Sequence, residues 1–265
     1  MSNIWPISIA RRSVVAMIPY SARGGATDAL HLDANENPYA PPPVIGAGDY
    51  NRYPAQQPEK LTKRLADLYD VKPNQIMVGR GADEGIECLL RAFCEAGEDS
   101  ILICPPTFGY YKTCADIQGV SLVEVPLNAD YEWNIPSIIS AGEADKVKMI
   151  FLCSPNNPTG NSLTREAILS VCEGLPKTLI VIDEAYIEFS DQDSLADQIG
   201  AVPNLVVLRT LSKAYALAGV RGGALLADPA VIDLLLKVLL TIHVPVRVTI
   251  LNLWKLSALW DMCMR

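Results

Sequence analysis

The sequence predicts an α/β fold with three layers, α/β/α, built around a mainly parallel sheet. Three features predict it: apolar runs of strand length, helix-like segments that alternate with these runs, and polar turns that directly follow several of them. Apolar strands that alternate with helices are typical of parallel sheets covered on both faces. Ligands of such sheets bind beyond the carboxyl ends of the strands. We therefore expect the chemically suggestive turns to lie together at one edge of the sheet.

The elements are predicted in chain order from periodicity and turn residues. A helix is expected at residues 58–69, because Leu61, Leu65 and Leu68 have helical spacing. A strand at residues 75–78 and a helix at residues 83–93 follow it. Further strands are expected at residues 100–104, 147–153, 178–182 and 205–208, each an apolar run that ends near a turn.

Composition restricts the possible partners. The chain has 265 residues, half of them hydrophobic, with a net charge of −8, which argues against nucleic acid as a partner. Seven cysteines without a Cys-x-x-Cys pair predict reduced core residues in a cytoplasmic protein, and two histidines give little support to a metal site. No signal peptide is evident, and no uncharged run reaches the roughly 18 residues of a membrane span. We expect no membrane partner.

Two charged side chains stand out because of their apolar surroundings. Asp183 ends a wholly apolar strand, where a carboxylate needs a cationic partner. Lys213 precedes the uncharged segment 214–220, which ends at Arg221. A lysine amine that condenses with an aldehyde is a covalent catalyst, and a carboxylate can hold a pyridine nitrogen protonated. This combination indicates pyridoxal 5'-phosphate. Taken alone, Asp183 could equally be a helix cap, and Lys213 and Arg221 could be solvated charges on a surface helix.

Three further motifs supply the remaining contacts that this cofactor needs. The run GRGADE at residues 79–84 follows a strand and opens a helix, where backbone N–H groups can bind a phosphate. Phe108 can stack on a planar ring, and Asn157 and Tyr186 can donate to a phenolate oxygen. Each of these motifs in isolation is equally consistent with a turn or with packing. The argument depends on all of them occurring in one chain.

With these residues assembled, the chain resembles the fold-type-I aminotransferases and, within them, the class-II family of histidinol-phosphate aminotransferases. The resemblance covers about residues 10–239. It is carried by LDANENP at residues 32–38, NRYP at 51–54, CSPNNPTG at 153–160, DEAYIEF at 183–189 and RTLSKAYALAG at 209–219.

The resemblance implies a role for each of the residues around the cofactor ring. Lys213 would bond covalently to the cofactor and, once displaced by the substrate amine, act as the general base. Asp183 would pair with the ring nitrogen, and Asn157 and Tyr186 would hold the ring oxygen. Phe108 would stack on the ring at a position where the family usually has tyrosine.

The resemblance also implies a phosphate site and a substrate site. The phosphate would be bound by backbone N–H groups around Ala82 and Asp83, by Ser212 and Thr210, and by Arg221. Tyr53 would reach the phosphate site of the neighbouring subunit, which implies a homodimer. Tyr20 and Asn35 would contact the substrate. The implied reaction exchanges an amino group between L-histidinol phosphate and 2-oxoglutarate in histidine biosynthesis. Glutamate is the aminated form of 2-oxoglutarate in this exchange.

The same comparison divides the chain into three parts. Residues 1–35 would form an N-terminal arm and small-domain segment, and residues 36–239 the large domain that binds the cofactor. Residues 240–265 depart from the family pattern, so we expect a non-native tail, as a frame shift near residue 240 would produce, and a missing C-terminal small domain.

Three alternatives remain open at this point. The first is another fold-type-I enzyme with the same cofactor, such as a lyase, a decarboxylase or an aromatic aminotransferase. The second is a catalytically impaired, truncated remnant that still binds the cofactor. The third is a nucleotide-binding module without catalysis, although the sequence lacks the glycine pattern of that class.

Overall fold

The computed structural model describes residues 56–144 and 146–239. They form a seven-stranded sheet with helices on both of its faces. The strands are β1 (Ile76–Gly79), β2 (Ser100–Ile103), β3 (Ser121–Glu124), β4 (Val147–Cys153), β5 (Leu179–Asp183), β6 (Leu205–Thr210) and β7 (Gly223–Ala227). The helices are α1 (Glu59–Leu68), α2 (Ala82–Phe93), α3 (Tyr110–Gln118), α4 (Ile135–Gly142), α5 (Arg165–Gly174) and α6 (Pro229–Val238).

The strand order brings several strand ends to one edge of the sheet. The order is β1-β7-β6-β5-β4-β2-β3, and the pairs from β6 through β3 are parallel. Strand β7 pairs antiparallel with both β1 and β6, so β1 runs in the same direction as β6. The carboxyl ends of β1, β2, β4, β5 and β6 therefore share an edge, and the turns singled out in the sequence follow these ends.

Alternate residues of each strand enter two separate cores, because successive side chains of a strand point to opposite faces. In β4, Phe151 packs on the face covered by α2, α3 and α6, whereas Leu152 packs on the face covered by α1, α4 and α5. In β5 the same alternation separates Val181 from Ile182. Consecutive residues at the carboxyl end of a strand thus face different cores.

The predicted fold class is confirmed, and the structure adds elements that the sequence did not predict. Strand β3 is an edge strand with partly exposed residues, and β7 is the antiparallel member of the sheet. The six cysteines in the described ranges are free and buried. Within these ranges no helix has both the length and the apolar character needed to cross a bilayer. The predicted arm at residues 1–35 and tail at residues 240–265 lie outside the described residues.

Candidate active site

Asp183 is a deeply buried acid at the edge where the strands end. Its exposed fraction is 2 %, and none of the ion pairs between described residues includes it. The backbone N–H of Ala185 donates to its Oδ1 at 3.1 Å. Burial raises the pKa of Asp183 to about 6, and its hydrogen bonds and the nearby charge of Lys213 act in the opposite direction. Its carboxylate is thus buried without a paired cation among the described residues.

Tyr111 is the main contact of Asp183, and no sequence pattern singled it out for the site. Its hydroxyl donates to Oδ2 of Asp183 at 2.7 Å, and the side chain is fully buried. Its ring stacks on Phe151 with a centroid distance of 4.8 Å and meets Phe108 edge-on at 5.5 Å. The one available signal was spacing, because Tyr111 follows the predicted stacking residue by three positions at the start of helix α3.

Phe108 lies in the loop after β2, which is joined to the loop after β4 through a buried asparagine. Asn156 accepts a hydrogen bond from Thr107 at 3.0 Å and donates to the carbonyl of Pro106 at 3.0 Å. The two loops are therefore fixed relative to each other. The neighbouring Asn157 does not take part in this link and contacts Tyr186 instead. Asn156 was not predicted as a functional residue, and its role here is to hold the two loops together.

Asn157, Tyr186 and Lys213 come together although they follow three different strands. The Asn157 side-chain amide donates to the Tyr186 hydroxyl at 3.4 Å, a long hydrogen bond. The ammonium of Lys213 lies 5.6 Å from the centroid of the Tyr186 ring, within the range of a cation–π contact. The amide, the phenol and the amine thus converge on one region beside the end of β5.

The loop after β1 forms a second part of the site. Gly81, with φ of 81°, precedes helix α2, whose first residues are Ala82 and Asp83. A side chain of Arg221 donates to the Asp83 carboxylate at 2.8 Å, and both groups are substantially exposed. Arg221 itself has φ of 58°, an unusual conformation for a residue with a side chain. The helix N-terminus and the guanidinium together suit a phosphate, and Asp83 holds the guanidinium beside that N-terminus.

A close backbone approach positions this loop. A Cβ placed on Gly223 at the start of β7 would lie 2.6 Å from backbone atoms of Gly81. Glycine at residue 223 is therefore required for the loop to approach the sheet this closely. The sequence showed neither this contact nor the antiparallel strand that provides it.

Thr210 and Ser212 lie at the carboxyl end of β6, just before Lys213. Both are buried, and the Thr210 hydroxyl accepts a hydrogen bond from the backbone N–H of Ser212 at 3.1 Å. In this structure Thr210 thus shapes the turn that carries the lysine. The predicted contacts of Tyr20, Asn35 and Tyr53 lie outside the described residues.

The assembled groups fit pyridoxal phosphate. A buried carboxylate without a paired cation in the described part of the chain suits a protonated ring nitrogen, and the ring of Phe108 meets Tyr111, the phenol that donates to this carboxylate. An amine, a phenol and an amide that lie near one another suit the aldehyde and the ring oxygen. The α2 N-terminus with Arg221 suits the phosphate. The residues present therefore offer a complementary group for each polar edge of this cofactor.

Comparison with known proteins supports this assignment. Residues 27–250 match the family Aminotransferase class I and II. The chain is 47 % identical to histidinol-phosphate aminotransferase from Aeromonas hydrophila over 241 residues, which cover 90 % of this chain and 67 % of the relative.

Solved structures with the same fold include one in complex with the cofactor. It is histidinol-phosphate aminotransferase from Sinorhizobium meliloti with pyridoxal-5'-phosphate, with a TM-score of 0.76 at 26 % identity, covering 87 % of this chain and 66 % of that one. L-threonine-O-3-phosphate decarboxylase from Porphyromonas gingivalis has a TM-score of 0.63 at 26 % identity, covering 78 % of this chain and 64 % of that one. The chain thus spans about two thirds of the length of these proteins. On the sequence match and the shared fold, it belongs to the histidinol-phosphate aminotransferase family of class I and II aminotransferases.

Proposed function

We propose that this chain binds pyridoxal 5'-phosphate through Lys213 and exchanges an amino group between L-histidinol phosphate and 2-oxoglutarate. The observation that carries the proposal is the buried carboxylate of Asp183, which has no paired cation among the described residues and lies at the same strand edge as Lys213. The names of its relatives, including one structure that contains the cofactor, support the same reaction.

The electrostatics of the site support an electron-accepting cofactor. When bound, pyridoxal phosphate supplies an aldehyde that condenses with an amine and a ring that accepts electrons from the substrate carbon. Asp183 would stabilise positive charge at the ring nitrogen, because an ionised carboxylate buried away from water attracts a cation strongly. Phe108 would pack against the ring face, and Asn157 and Tyr186 would donate to the ring oxygen.

Lys213 has two tasks in the proposed reaction. Its amine would hold the cofactor through its aldehyde, and the same amine, when free, would move the proton at the substrate carbon. Tyr186 lies beside Lys213 and would keep its amine near the ring oxygen. The phosphate would be held by the backbone N–H groups of Ala82 and Asp83, by Ser212 and Thr210, and by Arg221 as a two-pronged donor.

The assembly and the location are further parts of the proposal. We infer a homodimer in which Tyr53 reaches the neighbouring phosphate site, and substrate contacts from Tyr20 and Asn35, all by analogy with the family. Cysteines without disulfides in the described ranges support a cytoplasmic location.

A second reaction shares the fold and the cofactor. The structural similarity to L-threonine-O-3-phosphate decarboxylase favours decarboxylation as the rival, since both substrates would carry an amine and a phosphate. One assay separates the two reactions. Amino transfer from glutamate would indicate the aminotransferase, and release of carbon dioxide from a phosphorylated amino acid would indicate the decarboxylase.

Borohydride labelling tests the proposed function directly. We expect purified protein mixed with pyridoxal phosphate to develop a visible absorbance band, and borohydride to fix the label on the peptide that contains Lys213. Lys213→Ala should abolish the band, whereas Lys112→Ala, which removes an exposed lysine paired with Asp116, should keep it. Labelling elsewhere, or a band that survives Lys213→Ala, would contradict the proposal.

A further inference from the structure

Tyr111 combines full burial with a hydrogen bond to a carboxylate. The ring lies between Phe108 and Phe151, and both are apolar partners that a phenylalanine at position 111 would satisfy equally well. The hydroxyl, in contrast, donates to Oδ2 of Asp183 at 2.7 Å. This distance is typical of a strong hydrogen bond to a charged acceptor. Packing therefore explains the ring, and the hydroxyl requires a separate explanation.

The hydroxyl acts as a permanent donor. Burial raises the pKa of Tyr111 well above that of an ordinary tyrosine, and the negative charge of Asp183 raises it further. The phenol is thus neutral at any physiological pH. Because Ala185 donates to Oδ1 while Tyr111 donates to Oδ2, both carboxylate oxygens are tied down and the plane of the carboxyl group is fixed.

We propose that Tyr111 is a positioning residue that orients the Asp183 carboxylate and keeps it a weak base, so that the proton between this carboxylate and the cofactor stays on the ring nitrogen. The inference rests on the proposed function for the identity of the ring, but the coupling of Tyr111 to Asp183 is a property of the protein alone. A carboxylate that lost this donor would compete better for the proton, and the ring would carry less positive charge.

The other groups that face Asp183 have effects of either sign. The charge of Asp83 raises the pKa of Asp183, and the charge of Lys213 lowers it. Cys153, at the end of the adjacent strand, has a pKa raised mainly by burial and stays a neutral thiol. Burial raises the pKa of Asp183, and among the described side chains Tyr111 has the largest effect in the lowering direction. This ranking makes it the side chain whose loss should change Asp183 most.

The first test uses the protein without cofactor. Tyr111→Phe should raise the pKa of Asp183 by roughly one to two pH units, as expected for loss of a hydrogen bond to a charged group. Carbon-13 NMR of aspartate carboxyl groups measures it, with Asp183→Asn used to assign the signal. The matched control is Tyr110→Phe, which removes a neighbouring hydroxyl that donates instead to Glu87 at 2.7 Å and should leave the pKa of Asp183 unchanged.

The second test uses the protein loaded with pyridoxal phosphate. Tyr111→Phe should weaken cofactor binding about tenfold, the equivalent of roughly one pH unit at Asp183. It should also move the pH midpoint of the visible absorbance change upward, because a less positive ring draws less electron density from the nitrogen that joins it to Lys213. In the Asp183→Asn background the same substitution should have little further effect, since the two residues act through one contact.

The outcomes separate this inference from the proposed function. If the wild-type protein binds no cofactor but Tyr111→Phe still raises the pKa of Asp183, the proposed function fails and the coupling stands. An unchanged pKa, a cofactor affinity equal to that of Tyr110→Phe, or additive effects with Asp183→Asn would overturn the inference.

A second substitution tests the inference even if Tyr111→Phe does not fold. 3-Fluorotyrosine at position 111 retains the hydroxyl and makes it a better donor. We expect it to lower the pKa of Asp183 and to shift the absorbance midpoint in the opposite direction. An upward shift or no shift would equally overturn the inference.

Discussion

Asp183 and Glu184 are adjacent acids with the same 2 % exposure and very different partners. Asp183 faces the core formed with α2, α3 and α6, where its contacts are a phenol and a backbone N–H. Glu184 faces the opposite core and contacts Arg209 at 3.3 Å, the Ser194 hydroxyl at 2.6 Å and the backbone N–H of Leu195 at 2.8 Å. Strand alternation alone sends two identical charges into unlike surroundings.

The difference distinguishes an acid that is paired within the protein from an acid that is not. The charge of Glu184 is balanced within the protein by Arg209, which also pairs with Glu188 at 2.7 Å and lies 4.5 Å from the Tyr69 ring. The charge of Asp183 has no such ion pair among the described residues, and this is why we propose that a ligand compensates it. A buried carboxylate that lacks an ion pair is therefore better evidence of a binding site than a buried carboxylate that has one.

Removal of Arg209, the cation that pairs with Glu184, should have the largest effect on the free energy of unfolding. Arg209→Met leaves Glu184 and Glu188 without their partner, and breaking a buried pair in this way costs about 3–5 kcal/mol of unfolding free energy. Urea denaturation measures the loss. Arg165→Met, which removes a more exposed partner of Asp197, is the control and should cost about 1 kcal/mol or less. Equal losses for the two variants would show that the buried pair is not special.

Neutralising the other acid should have the opposite sign. In the protein without cofactor, Asp183→Asn should increase stability near neutral pH by up to about 3 kcal/mol, because the folded-state pKa of about 6 lies above the unfolded value of 3.8. A raised pKa means that the stability associated with the neutral acid is present below pH 3.8 and is lost as the pH rises through about 6.

The pH dependence of this gain is the check. Urea denaturation of wild type and Asp183→Asn should give similar stabilities below pH 4 and diverge up to about pH 6, after which the difference stays constant. Asp116→Asn, an exposed acid paired with Lys112, should show no such divergence. Destabilisation by Asp183→Asn at neutral pH would mean that the protein itself compensates the charge.

The smallest expected effect concerns a hydroxyl near Arg209. The Oη of Tyr69 is buried and makes no hydrogen bond with the described residues, whereas its ring contacts the guanidinium. Tyr69→Phe keeps the ring and removes the unsatisfied hydroxyl, so we expect a gain of about 1 kcal/mol in unfolding free energy. Tyr111→Phe removes a satisfied buried hydroxyl and is the contrasting variant. A clear loss for Tyr69→Phe would reveal a partner for its hydroxyl.

Much of the fold followed from local patterns. The apolar runs at residues 147–153 and 178–182 predicted the central strands β4 and β5, and the leucine spacing at residues 58–69 predicted α1. Edge strand β3 and antiparallel strand β7 were not predicted. Strand β3 is short and half exposed, and the direction of β7 depends on its neighbours, so neither feature is encoded in a local repeat.

The candidate site shows the same division. Asp183, Lys213, Asn157 and Tyr186 could be singled out because each follows a strand end or carries polarity in an apolar segment, and the structure brings them together. Tyr111 could not, because an aromatic residue at the start of a helix is ordinary core material until its hydroxyl meets a carboxylate 72 residues away. Asn156 and Gly223 were missed for the same reason, since their importance lies in contacts with distant loops.

The sequence by itself determined the five strands other than β3 and β7, the polar turns proposed to carry chemistry and the family pattern that the chain follows, because these depend on residue type and short-range spacing. Only the tertiary structure decided which of two neighbouring acids is balanced by arginine and which is held by a phenol. That choice depends on the face toward which each side chain points and on what the other end of the chain packs against that face. Burial then makes the choice energetically important, because a charge away from water interacts strongly with whatever lies beside it.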